Sequence, residues 1–108
     1  MTLRRFEMKT TEIKLIELPK TLKIHNPDKE MTWKDAMDYA ESINMRLPTK
    51  FELQAIAEST DEFNDLGWAW SSSTTSNVTT YAWNVNLNFG FTYNTNKTTT
   101  RSVLCVKD

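Results

Sequence analysis

The stretch Tyr81-Ala82-Trp83-Asn84-Val85-Asn86-Leu87-Asn88-Phe89-Gly90-Phe91-Thr92-Tyr93 decides how this 108-residue chain is read. Every odd position is aromatic or aliphatic, and from 84 onward every even position is Asn, Gly or Thr. A period of two is the signature of strands, whose side chains alternate between faces. A helix would scatter Val85 and Phe91 away from Trp83 and Leu87, and would have to carry Gly90 and a series of Asn, which are poor helix formers. The spacing predicts an antiparallel hairpin that reverses at Asn88-Phe89-Gly90, where Gly90 takes a positive φ without steric cost. Trp83, Val85, Leu87, Phe91 and Tyr93 are expected on one face, and Asn84, Asn86 and Thr92 on the other. That amide-rich face is either a solvated surface or a surface that meets a partner.

Charge is unevenly spread around this hairpin. Residues 66 to 96 contain no Lys, Arg, Asp or Glu, although the chain carries 13 basic and 14 acidic residues and a net charge of −1. A near-zero balance gives no long-range attraction to phosphate, so nucleic acid is not expected as a partner. A hydrophobic content of 39% with 11% aromatics argues for one folded domain spanning 1–108.

Upstream, Glu12 to Leu18 alternates with a phase change at Ile16, reading as a strand with a bulge that Pro19 ends. Leu22 and Ile24 resume the alternation, and His25-Asn26-Pro27-Asp28 reads as a surface turn. Residues 1–30 therefore read as a strand segment, led by a loose arm or edge segment bearing Arg4, Arg5 and Lys9. Thr32 caps a helix whose Trp33, Ala36, Met37, Ala40 and Ile43 recur at helical spacing. After Pro48, Thr49 and Glu52 form a Thr-x-x-Glu capping box for a second helix reaching about Ser59, with Leu53, Ile56 and Ala57 inward and Phe51 covering a core edge. The Arg46 fork is expected to hold a backbone turn or a carboxylate such as Glu52. Phe63 anchors an acidic connector, Trp68 and Trp70 share a strand face, and Thr100 to Val106 is apolar in both parities, as in a central strand. Two helices against a small, mainly antiparallel sheet make an α+β fold.

Sites of chemistry are scarce. His25 is the only histidine and Cys105 the only cysteine, so neither a transition-metal set nor a Ser/His/acid arrangement is available. Gly67 and Gly90 cannot build a phosphate loop. Asp61, Glu62 and Asp65 lack the spacing of a calcium loop. Asp61 and Asp65 leave a small hydrolase as the remaining enzymatic alternative. No catalytic residue, metal or cofactor is assigned. With no apolar run approaching 18 residues and no signal-like apolar opening, a cytoplasmic chain without a membrane span is expected.

The blocks Met31-Thr32-Trp33-Lys34-Asp35-Ala36, Arg46-Leu47-Pro48-Thr49-Lys50-Phe51-Glu52-Leu53, Trp70-Ser71-Ser72-Ser73-Thr74, Tyr81-Ala82-Trp83-Asn84-Val85-Asn86 and Arg101-Ser102-Val103-Leu104-Cys105-Val106 occur in this order. Over residues 31–108 the chain resembles the Lcl carboxy-terminal domain family, a branch of the C-type-lectin-like superfamily. The resemblance implies that the first helix packs beneath the sheet, that Arg46 and Leu47-Pro48 brace the helix pair, and that Trp70 and Trp83 are framework. It implies partner binding through loops and the exposed side of the terminal sheet. Related proteins bind proteins, host-surface sugars or sulfated polysaccharides, and some phage relatives bind receptors. Members commonly pair a cysteine of the first helix with one in the last strand. Ala40 stands at the first of these positions, an absence that favours a reducing compartment.

The function expected from these observations is a non-enzymatic module that binds a protein partner, as an inhibitor or adaptor of a phage or mobile element would. Carbohydrate or sulfated-polysaccharide binding is the alternative, and a homodimer is allowed. The candidate contacts are Asn77, Tyr81, Asn84, Asn86, Asn88, Phe89, Thr92, Tyr93, Asn94 and Asn96, with aromatic anchors supplying area and amides supplying direction.

Overall fold

A computed structural model describes residues 10–15, 20–75 and 77–108. The amino-terminal arm with Arg4, Arg5 and Lys9, and the bulge expected around Ile16, lie outside the described residues. The strands are β1 (Thr10–Lys14), β2 (Thr21–His25), β3 (Glu30–Met31), β4 (Trp68–Thr74), β5 (Tyr81–Asn86), β6 (Thr92–Asn96), β7 (Arg101–Ser102) and β8 (Cys105–Lys107). The helices are α1 (Trp33–Ser42) and α2 (Lys50–Ser59), followed by a 3-10 turn at Asn64–Leu66. They form two sheets, β1-β2-β8 and β3-β7-β4-β5-β6, antiparallel throughout except where β4 runs parallel to β7.

Both helices start where their capping residues require. Thr32 Oγ1 accepts from the Asp35 amide at 3.3 Å, and Thr49 and Glu52 complete a reciprocal box in which each side chain accepts from the other's backbone N–H. The α1 stripe buries Ala36 and Ala40 with Leu47, Trp70, Ala82, Val103 and Cys105. A second cluster gathers Leu22 and Ile24 from β2, Leu53 and Ile56 from α2, and Ala69, Val85, Leu87, Leu104 and Val106. Each fully buried aliphatic side chain contributes about 1.5–3 kcal/mol relative to exposure, so these clusters hold the sheets and helices together.

The two-sided apolar character of the last segment has its origin here. The single strand expected over Thr100 to Val106 is divided into β7 in the larger sheet and β8 in the smaller. Val103 and Cys105 enter the α1 cluster, while Leu104 and Val106 enter the α2 cluster. The segment threads between two cores, and alternate residues serve each. His25 also departs from the expected surface turn and is 4% exposed. It lies opposite Cys105 because β2 is the middle strand of its sheet. Its Nε2 is 2.8 Å from the Tyr39 hydroxyl, and the two rings stack. Phe51, expected to cover a core edge, is 64% exposed.

A buried carboxylate joins the distant parts of the chain. Glu52, 3% exposed, receives Arg46 Nη1 on Oε1 at 2.7 Å and Nη2 on Oε2 at 3.0 Å. Lys20 Nζ donates to the same carboxylate, and Arg46 Nη2 also donates to Asp108. The Arg46 backbone exchanges two hydrogen bonds with Val106, at 3.0 and 2.7 Å. Burial by itself would push the Glu52 carboxyl up, but hydrogen bonds from Arg46, Lys20 and the Thr49 amide outweigh it and hold it down at about 2. Set against its ordinary value of 4.5, that depression corresponds to about 3 kcal/mol of stability. The contribution is complete above the ordinary value and is lost as pH falls through about 2. Thermal melts of wild type and Glu52→Gln across pH 7 to 2 are therefore expected to differ most at neutral pH and to converge in acid. A constant gap across that range would refute the assignment.

Candidate ligand-binding face

The hairpin is present, but its reversal is one residue longer than the sequence pattern suggests. Tyr81 pairs with Asn96, Trp83 with Asn94, Asn84 with Tyr93 and Val85 with Thr92. The Asn86 amide donates to Phe91 O at 2.8 Å, leaving Leu87 to Gly90 as a four-residue loop. An even loop pairs odd positions with even ones, so parity inverts on the return strand. Tyr93 consequently shares a face with Asn84, and Thr92 shares one with Val85, opposite to the expected assignment. Asn86 fixes this loop: its Oδ1 accepts from the amides of Asn88 at 2.9 Å and Phe89 at 3.1 Å. Gly90 supplies a φ of 80°.

Register then sets two rows across β4, β5 and the returning strand. Trp70, Asn84 and Tyr93 lie in one, and Trp68, Asn86 and Phe91 in the next. Trp70 is fully buried and its Nε1 donates to Met31 O at 2.9 Å. Toward the hairpin tip the same face opens to solvent, with Tyr93 59%, Phe91 64% and Phe89 67% exposed. The Phe89 and Phe91 rings stack with centroids 5.6 Å apart, and Tyr93 meets Trp68 edge-on at 6.2 Å. Trp68 of β4, Phe89 and Phe91 of the turn and Tyr93 of β6 thus build a contiguous aromatic surface rather than scattered single exposures.

The expected contact residues separate into groups. Phe89 and Tyr93 belong to the aromatic surface, and Asn88 stands exposed at its tip. Asn84 lies in the same face but is fully buried: Nδ2 donates to Tyr93 O at 2.8 Å, and Oδ1 accepts from Arg101 Nε at 3.3 Å. Its amide positions the platform from below. Thr92, Asn94, Asn96 and Tyr81 sit on the opposite face, paired around Trp83, and Asn96 Oδ1 is occupied by Thr98. Asn77 is exposed in the loop after β4. Trp68, Phe91 and Arg101 join the site without having been singled out as contacts. Phe91 carried the alternation signal, but its placement required the loop length, and Trp68, read as sharing a strand face with Trp70, is placed by its register opposite Asn86.

Trp83 is held by Lys50, whose Nζ lies 4.1 Å from its ring centroid, as expected of framework. The acids of the connector do not converge: among the described residues no group of three or more His, Cys, Asp or Glu could hold a metal ion. The Cys105 thiol is buried, and that burial pushes it up to about 12, the condition of an inert core residue. Among the described residues no helix is long and apolar enough to cross a membrane.

Asn84→Ala is expected to cost about 1–3 kcal/mol in urea denaturation, because the Tyr93 carbonyl and the Arg101 guanidinium each lose a partner. Tyr93→Phe is expected to stay within about 0.5 kcal/mol of wild type. Equal stability of Asn84→Ala and wild type would show that the amide does not position the platform.

The profile of the Lcl C-terminal domain family matches residues 8–107, a span that begins upstream of the first resembling block at Met31. The architecture is similar to the solved structure of TC14, a C-type lectin from the tunicate Polyandrocarpa misakiensis. The TM-score is 0.59 at 16% identity, covering 81% of this chain and 98% of that one. At that identity the likeness speaks for the fold. Comparison with curated protein sequences gives no match.

Proposed function

From the premise that this chain belongs to the Lcl C-terminal domain family and folds as a C-type-lectin-like, non-catalytic binding module, we propose that it binds carbohydrate through the aromatic face of its larger sheet. The observation that carries the reading is the exposed set Phe89, Phe91 and Tyr93, backed by Trp68, in a stretch without a formal charge. Sugar rings present apolar C–H faces between polar edges. Flat aromatic side chains cover the former, and neighbouring amides and hydroxyls hydrogen-bond the latter. The lectin named among its structural neighbours supports a sugar as the ligand class.

The mode of binding proposed here does not use calcium. A metal-assisted sugar site needs carboxylates beside the sugar, and residues 66 to 96 supply none. Orientation would come from side-chain amides such as Asn88, because the amides of the Leu87–Gly90 loop are already bonded within the fold. Affinity would come mainly from the rings. The protein partner expected from the sequence would use the same exposed tip as an anchor, and it is the reading to which a negative glycan result returns.

A glycan array probed with the full chain, followed by titration of the best ligand, tests the proposal. Wild type is expected to bind equally with and without EDTA. Tyr93→Ala and Phe91→Ala are each expected to weaken binding about thirty-fold, corresponding to about 2 kcal/mol for a central aromatic contact. Lys34→Ala, on the exposed side of α1, should leave affinity unchanged. Loss of binding in EDTA would overturn the metal-independent mode. Absence of any glycan binding, or binding insensitive to both aromatic substitutions, would overturn the site.

A further inference from the structure

The larger sheet ends at β6 on one side and at β3 on the other, and the smaller sheet has β1 at an edge. Two of these edges are guarded in the usual ways. β1 carries Glu12 and Lys14 as exposed residues, and β3 is only two residues long and includes Glu30. β6 has none of these devices. Its five residues, Thr92-Tyr93-Asn94-Thr95-Asn96, contain no charge and no proline, and its pairing with β5 runs without a bulge. Lys97, the next residue in the chain, is turned elsewhere: Nζ donates to Thr79 O at 2.6 Å and sits 4.3 Å from the Trp33 ring centroid. Among the described residues no strand pairs with the outer side of β6.

The hydrogen-bond parity of that outer side follows from two contacts. The Asn86 amide bonds Phe91 O, and the Lys97 amide bonds Thr80 O. In an antiparallel ladder bonded pairs alternate with non-bonded ones, so residues 91, 93 and 95 direct their backbone groups toward β5, as the Lys97 amide does, while Lys97 O accepts from the Trp33 amide. Thr92, Asn94 and Asn96 direct theirs outward. We infer that β6 is a self-pairing edge, and that a second copy of this chain adds its own β6 antiparallel to the first about a two-fold axis at Asn94.

The sequence of β6 satisfies the requirements of that symmetry. A two-fold contact must match a strand with itself reversed, and the outward residues 92, 94 and 96 are symmetric about 94. Asn94 faces its own counterpart as a pair that exchanges main-chain hydrogen bonds, and Thr92 faces Asn96 of the second copy, where the Asn96 amide can donate to Thr92 O while Asn96 O already accepts from the Thr99 amide at 3.0 Å. On one face the Asn94 side chains lie side by side and can exchange amide hydrogen bonds. On the other, Tyr93 lies beside Thr95 of the second copy. Two charged edges brought together in this way would repel. Because residues 66 to 96 are uncharged, the contact brings no like charges opposite one another. The two five-stranded sheets then continue into one of ten strands, with both Tyr93 side chains on the same side.

Sedimentation velocity of the full chain over a series from low micromolar to millimolar concentration tests this without reference to any ligand. Wild type is expected to double in mass as concentration rises. Asn94→Pro removes an outward amide that β5 does not use, and Asn94→Lys places two cations on the axis. Both are expected to remain monomeric through the range, with circular dichroism and melting close to wild type. Asn94→Thr, which keeps the main-chain ladder, is expected to dimerise. A wild type that stays monomeric throughout, or a folded Asn94→Pro that dimerises as wild type does, would overturn the inference. A dimer disrupted by substitutions in β1 but not by those in β6 would do the same.

Discussion

A single buried carboxylate decides how the parts of this protein are joined. Glu52 first serves its own helix, accepting the Thr49 amide as half of the capping box. Its remaining capacity is taken by a cation from each side, Lys20 from between β1 and β2, and Arg46 from the link between the helices. Arg46 is in turn fastened to β8 through Val106 and to Asp108. A carboxylate at this depth is tolerable only with all of these partners, because an unpaired charge there would forfeit its hydration with nothing in return. The local rule that starts a helix and the long-range rule that closes the smaller sheet against α2 therefore meet in one side chain. The spacing Arg-Leu-Pro-Thr-x-x-Glu acquires a physical meaning: Arg and Thr are placed to reach the same carboxyl from opposite sides.

Much of this architecture was legible in the residues. Caps at Thr32 and Thr49 gave the helix starts, because a cap is a local interaction encoded within four residues. The alternation in 81–93 gave the hairpin for the same reason. The parity of its second strand was not legible, because loops of three and four residues both accommodate Asn-Phe-Gly and the choice rests on the Asn86 side chain folding back over the turn. His25 misled for a different reason. Its neighbours Asn26, Pro27 and Asp28 do leave the strand, with the Asp28 amide donating to Asn26 Oδ1 at 2.8 Å, but burial depends on β8, eighty residues away, and on Tyr39. The last segment was correctly read as covered on both sides, while its passage between two sheets depends on a topology that periodicity does not carry.

The candidate site was legible in composition and illegible in detail. The charge-free, aromatic-rich stretch contains the exposed rings Phe89, Phe91 and Tyr93 on which the proposed face is built. Asparagines looked equivalent in the sequence, yet they perform different tasks. Asn84 is a buried brace, Asn86 shapes the loop, Asn96 caps the next turn, and Asn88 is left to solvent. Ala40 and Cys105 lie in one buried cluster with Ala36, Leu47 and Trp70. Small apolar groups pack around the thiol there, and its raised pKa keeps Cys105 chemically quiet.

The neutrality of residues 66 to 96 also sets how an encounter on that face would unfold in time. With Arg101 held against Asn84 as the charge beside these rings, steering of an approaching molecule would be weak, so association would run near the unsteered rate of about 10⁵–10⁶ M⁻¹s⁻¹ and would change little with ionic strength. Discrimination between ligands would then reside almost wholly in residence time, set by how well each one covers the rings before it leaves.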